Sequence, residues 1–458
     1  MSGFGGRGGG RGPGGGRGRS SGGRFSGGRG RSGGRGPSST PAASKGKLTP
    51  CSNFTSTGTC KFGDKCNFSH SLKLHATVEA SKKAQVAGNT SSFQNNYNSA
   101  PSSYAVSSIA IWESSQPFKI FSGAHDGYWR LWNPSANFGR EFEHYMGPPV
   151  QPDQMEVVPP KIHAISIVNN YLFVAFDAPC QLIPGPVAVG MVHAWNLNSP
   201  SDAPMQFHLD SDSAPFAHAL GVTSLRVQPD GTALTGGKDA LIRCWAMDGN
   251  VFKPTQILSG HAKEVTCLAR ALPSDPILWS GSTDGTLRLW DTASGACPYM
   301  ITCDTLDAAG QSVGHSAAIT SLITWDSGNN NCFILSSSLD GSIRAWSPKA
   351  ECMASAPDVS SGVVCMALHH DLSHKPLLIC GLVHGDIAIR TLQQTATLPA
   401  LSLIMTLNGQ YLRCGHNLNS ASNATAIRAV ESGPQHTFYT GGEDGKMCVW
   451  QIVSEFQI

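Results

Sequence analysis

Cys51, Cys60, Cys66 and His70 lie within twenty residues, in the spacing C-x8-C-x5-C-x3-H. Three thiolates and one imidazole complete a tetrahedral shell, the donor set of a structural zinc site with no open position for catalysis. So short a segment has almost no core, and the metal is expected to supply most of its folding energy. Gly58 and Gly63 lie just before the second and third cysteines and suit the tight turns that gather the ligands. Phe62 and Phe68 follow those two cysteines, beside Lys61 and Lys65. An aromatic face next to ammonium groups can stack an unpaired base and neutralise its phosphate. Packing over the metal is the alternative role for each ring, and the expected one for Phe54.

The stretch CSNFTSTGTCKFGDKCNFSH resembles the CCCH zinc fingers of mRNA-binding proteins over its whole length. That resemblance implies one bound zinc ion and implies that Phe62 and Phe68 are the rings that stack on single-stranded RNA.

The elements that must hold this segment differ sharply in charge. The chain has 458 residues and a net charge of +2. Residues 1–83 carry fifteen Lys/Arg against two acids, and the remainder carries eighteen against twenty-nine, so a +13 arm is averaged with a −11 body. Residues 1–36 hold nineteen glycines and eight arginines, with only Phe4 and Phe25 as large apolar groups. Such a segment cannot offset its conformational entropy by burial and is expected to be disordered. Its spaced guanidiniums suit single-stranded nucleic acid, and the tail resembles the Arg-Gly-Gly boxes of RNA-associated proteins.

No run of eighteen apolar residues appears, so no membrane span is expected. The Gly/Arg start has no apolar h-region, so no secretory leader is expected. The fourteen cysteines are then expected to be thiols or metal ligands in the nucleus or cytoplasm. Cys244, Cys267, Cys303, Cys332, Cys365 and Cys448 alternate with apolar residues and read as core fillers.

From about residue 104 a pattern recurs: small residues, Asp-Gly, an apolar–basic–apolar triplet, then Trp. It ends at Trp132 (AHDGYWRLW), Trp245 (GGKDALIRCW), Trp290 (GSTDGTLRLW), Trp346 (SSLDGSIRAW) and Trp450 (GEDGKMCVW). Degenerate copies end at Trp195 and Arg390. Spacings of 44 to 63 residues with this cadence mark the blades of a propeller. The region resembles the WD-repeat family. The resemblance implies a buried network joining each blade's Asp to a His, a Ser/Thr and the Trp, with His261, Ser280, Asp284 and Trp290 as the fullest set. These groups read as structural, and no nucleophile–base set stands outside them, so no enzyme and no small-molecule substrate are expected.

Seven ends predict seven blades. Only eight residues follow Trp450, too few for a comfortable fourth strand. The last blade's outer strand is therefore expected from residues 72–103, with VSEFQI as the competing source. Residues 133–160 are expected to form an exposed loop.

The reading is thus an all-β chain: a disordered tail and linker (1–47), a CCCH finger (48–72), a linker with a closing-strand candidate (73–103) and a seven-bladed WD-repeat β-propeller (104–458). The combination resembles the plant-type zinc-finger/WD-repeat family. That resemblance implies zinc and RNA binding. The function expected from the whole chain is a non-catalytic adaptor whose finger and tail contact single-stranded RNA while the propeller scaffolds a protein partner. The alternative is a protein scaffold or substrate receptor whose finger binds protein.

Overall fold

The structure, a computed structural model, describes residues 49–81, 104–147, 159–179, 188–209, 215–272, 275–328, 331–356, 361–395, 398–408, 416 and 426–456. Its strands form seven four-stranded antiparallel sets, and two of these are joined into one eight-stranded sheet. The join is a short parallel pairing of Met205–Phe207 with Val251–Ser259 at the outer edges of blades two and three. The innermost strands, in blade order, are Val106–Trp112, Lys161–Val168, Val222–Val227, Val265–Arg270, Ile319–Asp326, Val363–His370 and Ile427–Ser432. Each packs against the next, and the seventh packs against the first, so the ring is closed.

Short polar side chains help to stitch the ring. The Thr266 hydroxyl donates to the Ile319 carbonyl at 2.6 Å, and Thr320 to that of Val363 at 2.7 Å. Ser107 and Thr223 donate in the same way to Ile162 and Val265. Each bond satisfies a carbonyl at the start of the neighbouring blade's inner strand.

The Asp-Gly cadence folds as one recurrent turn. Asp284 Oδ1 accepts the Thr286 N–H at 2.8 Å, and Asp340 Oδ1 accepts that of Ser342 at 2.8 Å. The intervening Gly285 and Gly341 have φ of +82° and +83°, a conformation that costs glycine nothing. Blade three places Ala240 there, at φ +62°. A Cβ in this region costs about 1–2 kcal/mol. Ala240→Gly is therefore expected to raise the denaturant midpoint, stabilising by about 0.5–1 kcal/mol after the extra unfolded-state entropy of glycine; a lowered midpoint contradicts this reading.

Strand Leu72–Glu79 pairs antiparallel with Lys446–Ile452 and is the outer strand of blade seven. It lies in the segment read as linker, and residues 82–103 fall outside the described residues. The competing VSEFQI forms no strand over its described residues; Val453–Phe456 instead folds back beside Ser71. The 133–160 segment is not simply a loop. Gly139–Tyr145 forms blade one's outer strand, anchored by Arg130, whose guanidinium reaches both Asp126 and Glu143. Prolines elsewhere in the segment masked that alternating stretch at the level of sequence.

The buried network is fuller than the sequence indicated. In blade four, His261 contacts Asp284 at 3.0 Å and Ser280 at 2.7 Å, and Trp290 Nε1 donates to Ser280 at 2.8 Å. The same set recurs as His218, Asp239, Thr235 and Trp245; as His315, Asp340, Ser336 and Trp346; and as His416, Asp444, Thr440 and Trp450. The hydroxyl in each is fully buried and already bonded to both the imidazole and the indole. Such a hydroxyl has neither the access nor the free lone-pair geometry of a nucleophile.

Candidate metal centre and nucleic-acid face

The finger is built from turns around one short helix. Helix Ser52–Thr57 begins as Thr55 N–H donates to the Cys51 carbonyl at 2.8 Å. It ends at Gly58, whose φ of +74° lets its N–H reach the Phe54 carbonyl at 2.8 Å. Consecutive turns then wind the chain through Cys60, a 3-10 turn at Gly63–Lys65, and Cys66. A parallel bridge between Pro50 and Ser69 draws the two ends together, with Cys51 N–H donating to the Ser69 carbonyl at 2.9 Å. These three devices bring residues from nineteen positions apart to one point.

At that point Cys51, Cys60, Cys66 and His70 each offer one ligand atom, all within 4.8 Å of one another. Cys51 and Cys66 are buried. Burial pushes the Cys51 thiol up, whereas the backbone N–H of Phe62 stabilises the Cys60 thiolate and lowers its pKa. His70 Nε2 is shut off from solvent and has no hydrogen-bond partner. A buried, unsatisfied imidazole nitrogen facing three sulfurs fits a metal ion that accepts its lone pair. The donor set fits one structural zinc, which would cross-link the turns and neutralise the thiolates.

The phenylalanines divide by role. Phe54 stacks flat on the His70 imidazole, with ring centroids 4.4 Å apart and planes 14° apart. It therefore orients a metal-facing side chain. Phe62 and Phe68 are 58 % and 49 % exposed, far beyond what packing over the metal requires. Together with Lys65, Asn53 and Asn67 they line an open cleft of about 370 Å³ beside the cysteines. Lys61 Nζ sits 5.1 Å from the Phe62 ring centroid. A flat exposed ring with a cation over one face can stack a base on the other and hold its phosphate.

Comparison with known proteins agrees with this geometry. Residues 46–72 match the family described as zinc finger C-x8-C-x5-C-x3-H type (and similar). Residues 213–246, 252–291 and 310–347 match the WD domain, G-beta repeat. The chain carries a CCCH zinc finger and WD40 repeats. The three matched repeats are blades three, four and five, each with a full His–Asp–Ser/Thr–Trp network.

Relatives over most of the chain are plant CCCH zinc-finger proteins. Zinc finger CCCH domain-containing protein 62 of Arabidopsis thaliana is 24 % identical over 407 residues, covering 87 % of this chain and 75 % of the relative. Zinc finger CCCH domain-containing protein 17 of Oryza sativa subsp. japonica is 25 % identical over 413 residues, covering 88 % and 73 %. Zinc finger CCCH domain-containing protein 63 of Arabidopsis thaliana is 43 % identical over 68 residues, 15 % of each chain.

One expectation about a single residue changes, and three residues escaped the sequence reading. Cys303, read as a core filler, is exposed, whereas Cys244, Cys267, Cys332 and Cys448 are buried in the blades. His218, His315 and His416, which complete networks, were not marked by the sequence pattern. Each lies on a connection of different length, 21, 25 and 28 residues before its partner Asp. The signal that could have found two of them is Gly-His, which stands at Gly314-His315 and Gly415-His416 as it does at Gly260-His261, whereas Ala217 precedes His218.

Proposed function

We propose that the chain is a non-catalytic RNA-binding adaptor. Its finger contacts single-stranded RNA through Phe62 and Phe68, with Lys61 and Lys65 holding phosphate, and its propeller carries a protein partner. The observation that supports this most is the pair of half-exposed phenylalanines flanking the metal cluster. Large aromatic rings left in water next to lysines are costly without a partner to cover them. The Arg/Gly segment 1–36 adds sequence-independent attraction to phosphate.

The propeller suits a protein partner better than RNA, because residues 84–458 carry a net charge of −11. A groove between blades two and three, lined by Tyr171, Phe173, Met205, Met247 and Phe252, gives an apolar surface of the right kind. The buried Asp–His–hydroxyl sets support a structural rather than catalytic reading. The scaffold alternative, in which the finger itself binds protein, rests on the same exposed rings. The proposal places the chain in the nucleus or cytoplasm, where its unpaired thiols persist.

The test is fluorescence anisotropy of a labelled single-stranded RNA with the full chain. Cys60→Ser is expected to weaken binding at least about tenfold, the share of one to two stacked bases. Unchanged affinity, together with a finger-dependent protein pull-down that survives nuclease, would transfer the finger to the scaffold reading.

A further inference from the structure

The finger is not a separate bead ahead of the propeller. Metal-facing His70 is followed by Ser71 and then directly by the closing strand Leu72–Glu79. Ser71 is buried and is the knot of the junction. Its carbonyl accepts the Val453 N–H at 2.9 Å, and its hydroxyl donates to the Glu455 carbonyl at 3.0 Å. Ser69 and Ser454 both donate to that same hydroxyl, at 3.1 and 3.2 Å. Phe456 is buried in one cluster with Leu72, Trp450, Ile452 and Leu407. Thus residues from the finger, the closing strand and the segment 453–456 share one buried joint.

The far end of the closing strand is fastened too. Ala80 and Ser81 N–H groups donate to the Gly445 carbonyl at 2.9 and 3.0 Å. The buried Arg130 of blade one donates to the Ala80 carbonyl at 2.8 Å. The strand therefore spans the seam between blades seven and one. Its near end is held by a finger that has no large buried apolar side chain ahead of that strand: its buried residues are Pro50, Cys51, Thr55, Cys66, Ser69 and Ser71. With so little core, the finger's order depends on its metal.

We infer that zinc occupancy of the finger sets how firmly the propeller ring is closed. Metal, closing strand and the 453–456 segment act as one clasp. When zinc leaves, the turns around Ser69 and Ser71 lose their cross-link, the 453–456 segment loses its anchor, and the seam of blade seven frays. The coupling is reciprocal, so weakening the joint also loosens the metal. This inference rests on the fit of zinc to the four donors and is independent of RNA binding.

The experiment uses the full chain and two readouts. The first is the propeller's unfolding midpoint, followed by tryptophan fluorescence, with and without a zinc chelator. The second is the chelator concentration that removes half the zinc, compared between the parent and Phe456→Ala, a change that leaves all four ligands in place. The clasp predicts a midpoint lowered by several degrees on chelation and zinc release from Phe456→Ala at a severalfold lower chelator concentration. If Phe456→Ala does not fold, Ser71→Ala, which removes only the hydroxyl knot, serves in its place. A propeller midpoint indifferent to zinc, or zinc release unchanged in a folded joint variant, overturns the inference.

Discussion

Breaking the closing strand lowers the propeller's unfolding midpoint by roughly 5–10 °C, the largest stability effect expected of any single element. Leu72 is 1 % exposed and Leu74 packs against the same cluster. Full burial of Leu72 contributes about 1.5–3 kcal/mol, and the partly buried Leu74 adds less. Leu72 through Glu79 also pair along the whole of Lys446–Ile452, which would otherwise present an unpaired edge. Replacing both leucines by Asp keeps chain length and all four zinc ligands while removing the strand's apolar hold. The double variant is also expected to become sensitive to protease and to aggregate through the bared edge. A midpoint equal to the parent's would mean that blade seven closes without this strand.

Phe62→Ala and Phe68→Ala each weaken single-stranded RNA binding by roughly tenfold to a hundredfold, because one stacked base is worth about 1–3 kcal/mol. Zinc content is expected to stay at the parent level in both, since both rings are about half exposed and it is Phe54 that stacks on His70. Phe54→Ala behaves in the opposite way: it removes the ring stacked on His70 and loosens the metal first. Lys61→Ala and Lys65→Ala have smaller effects and each reduces the slope of log affinity on log salt by about one unit. Loss of RNA affinity that tracks loss of zinc in the Phe62 and Phe68 variants would mean that those rings are structural.

Much of this architecture is readable from residue spacing, for a physical reason in each case. A four-ligand metal site demands fixed donor types at short separations, so Cys51, Cys60, Cys66 and His70 are visible as text. Five blades share a turn with an acceptor at Asp, a left-handed residue after it and a large ring six positions on, so the series from Asp126 to Trp450 is visible too. Two turns depart informatively. Ala240 stands at a left-handed position without glycine, and Arg390 stands where a Trp is expected. Arg390 is fully buried; its Nη1 donates to the Leu401 carbonyl at 3.1 Å, while Nε and Nη2 find no partner among the described residues.

What the sequence hid depends on chain connections rather than local pattern. The histidines of blades three, five and seven are brought to their Asp by loops of unequal length. Blade one uses Arg130 on Asp126, at 2.6 Å, in place of a histidine. The joint at Ser71 unites positions more than 380 residues apart, a contact no local spacing encodes.

The central claim is that the finger, not the propeller, touches RNA. Ultraviolet cross-linking of single-stranded RNA to the zinc-loaded full chain, with mass spectrometry of the linked peptides, tests it most directly. Links are expected at Phe62 and Phe68, within the peptide that runs from Cys60 to His70, and are expected to disappear when zinc is chelated. Links confined to residues beyond 104, with the finger unlabelled, would contradict it.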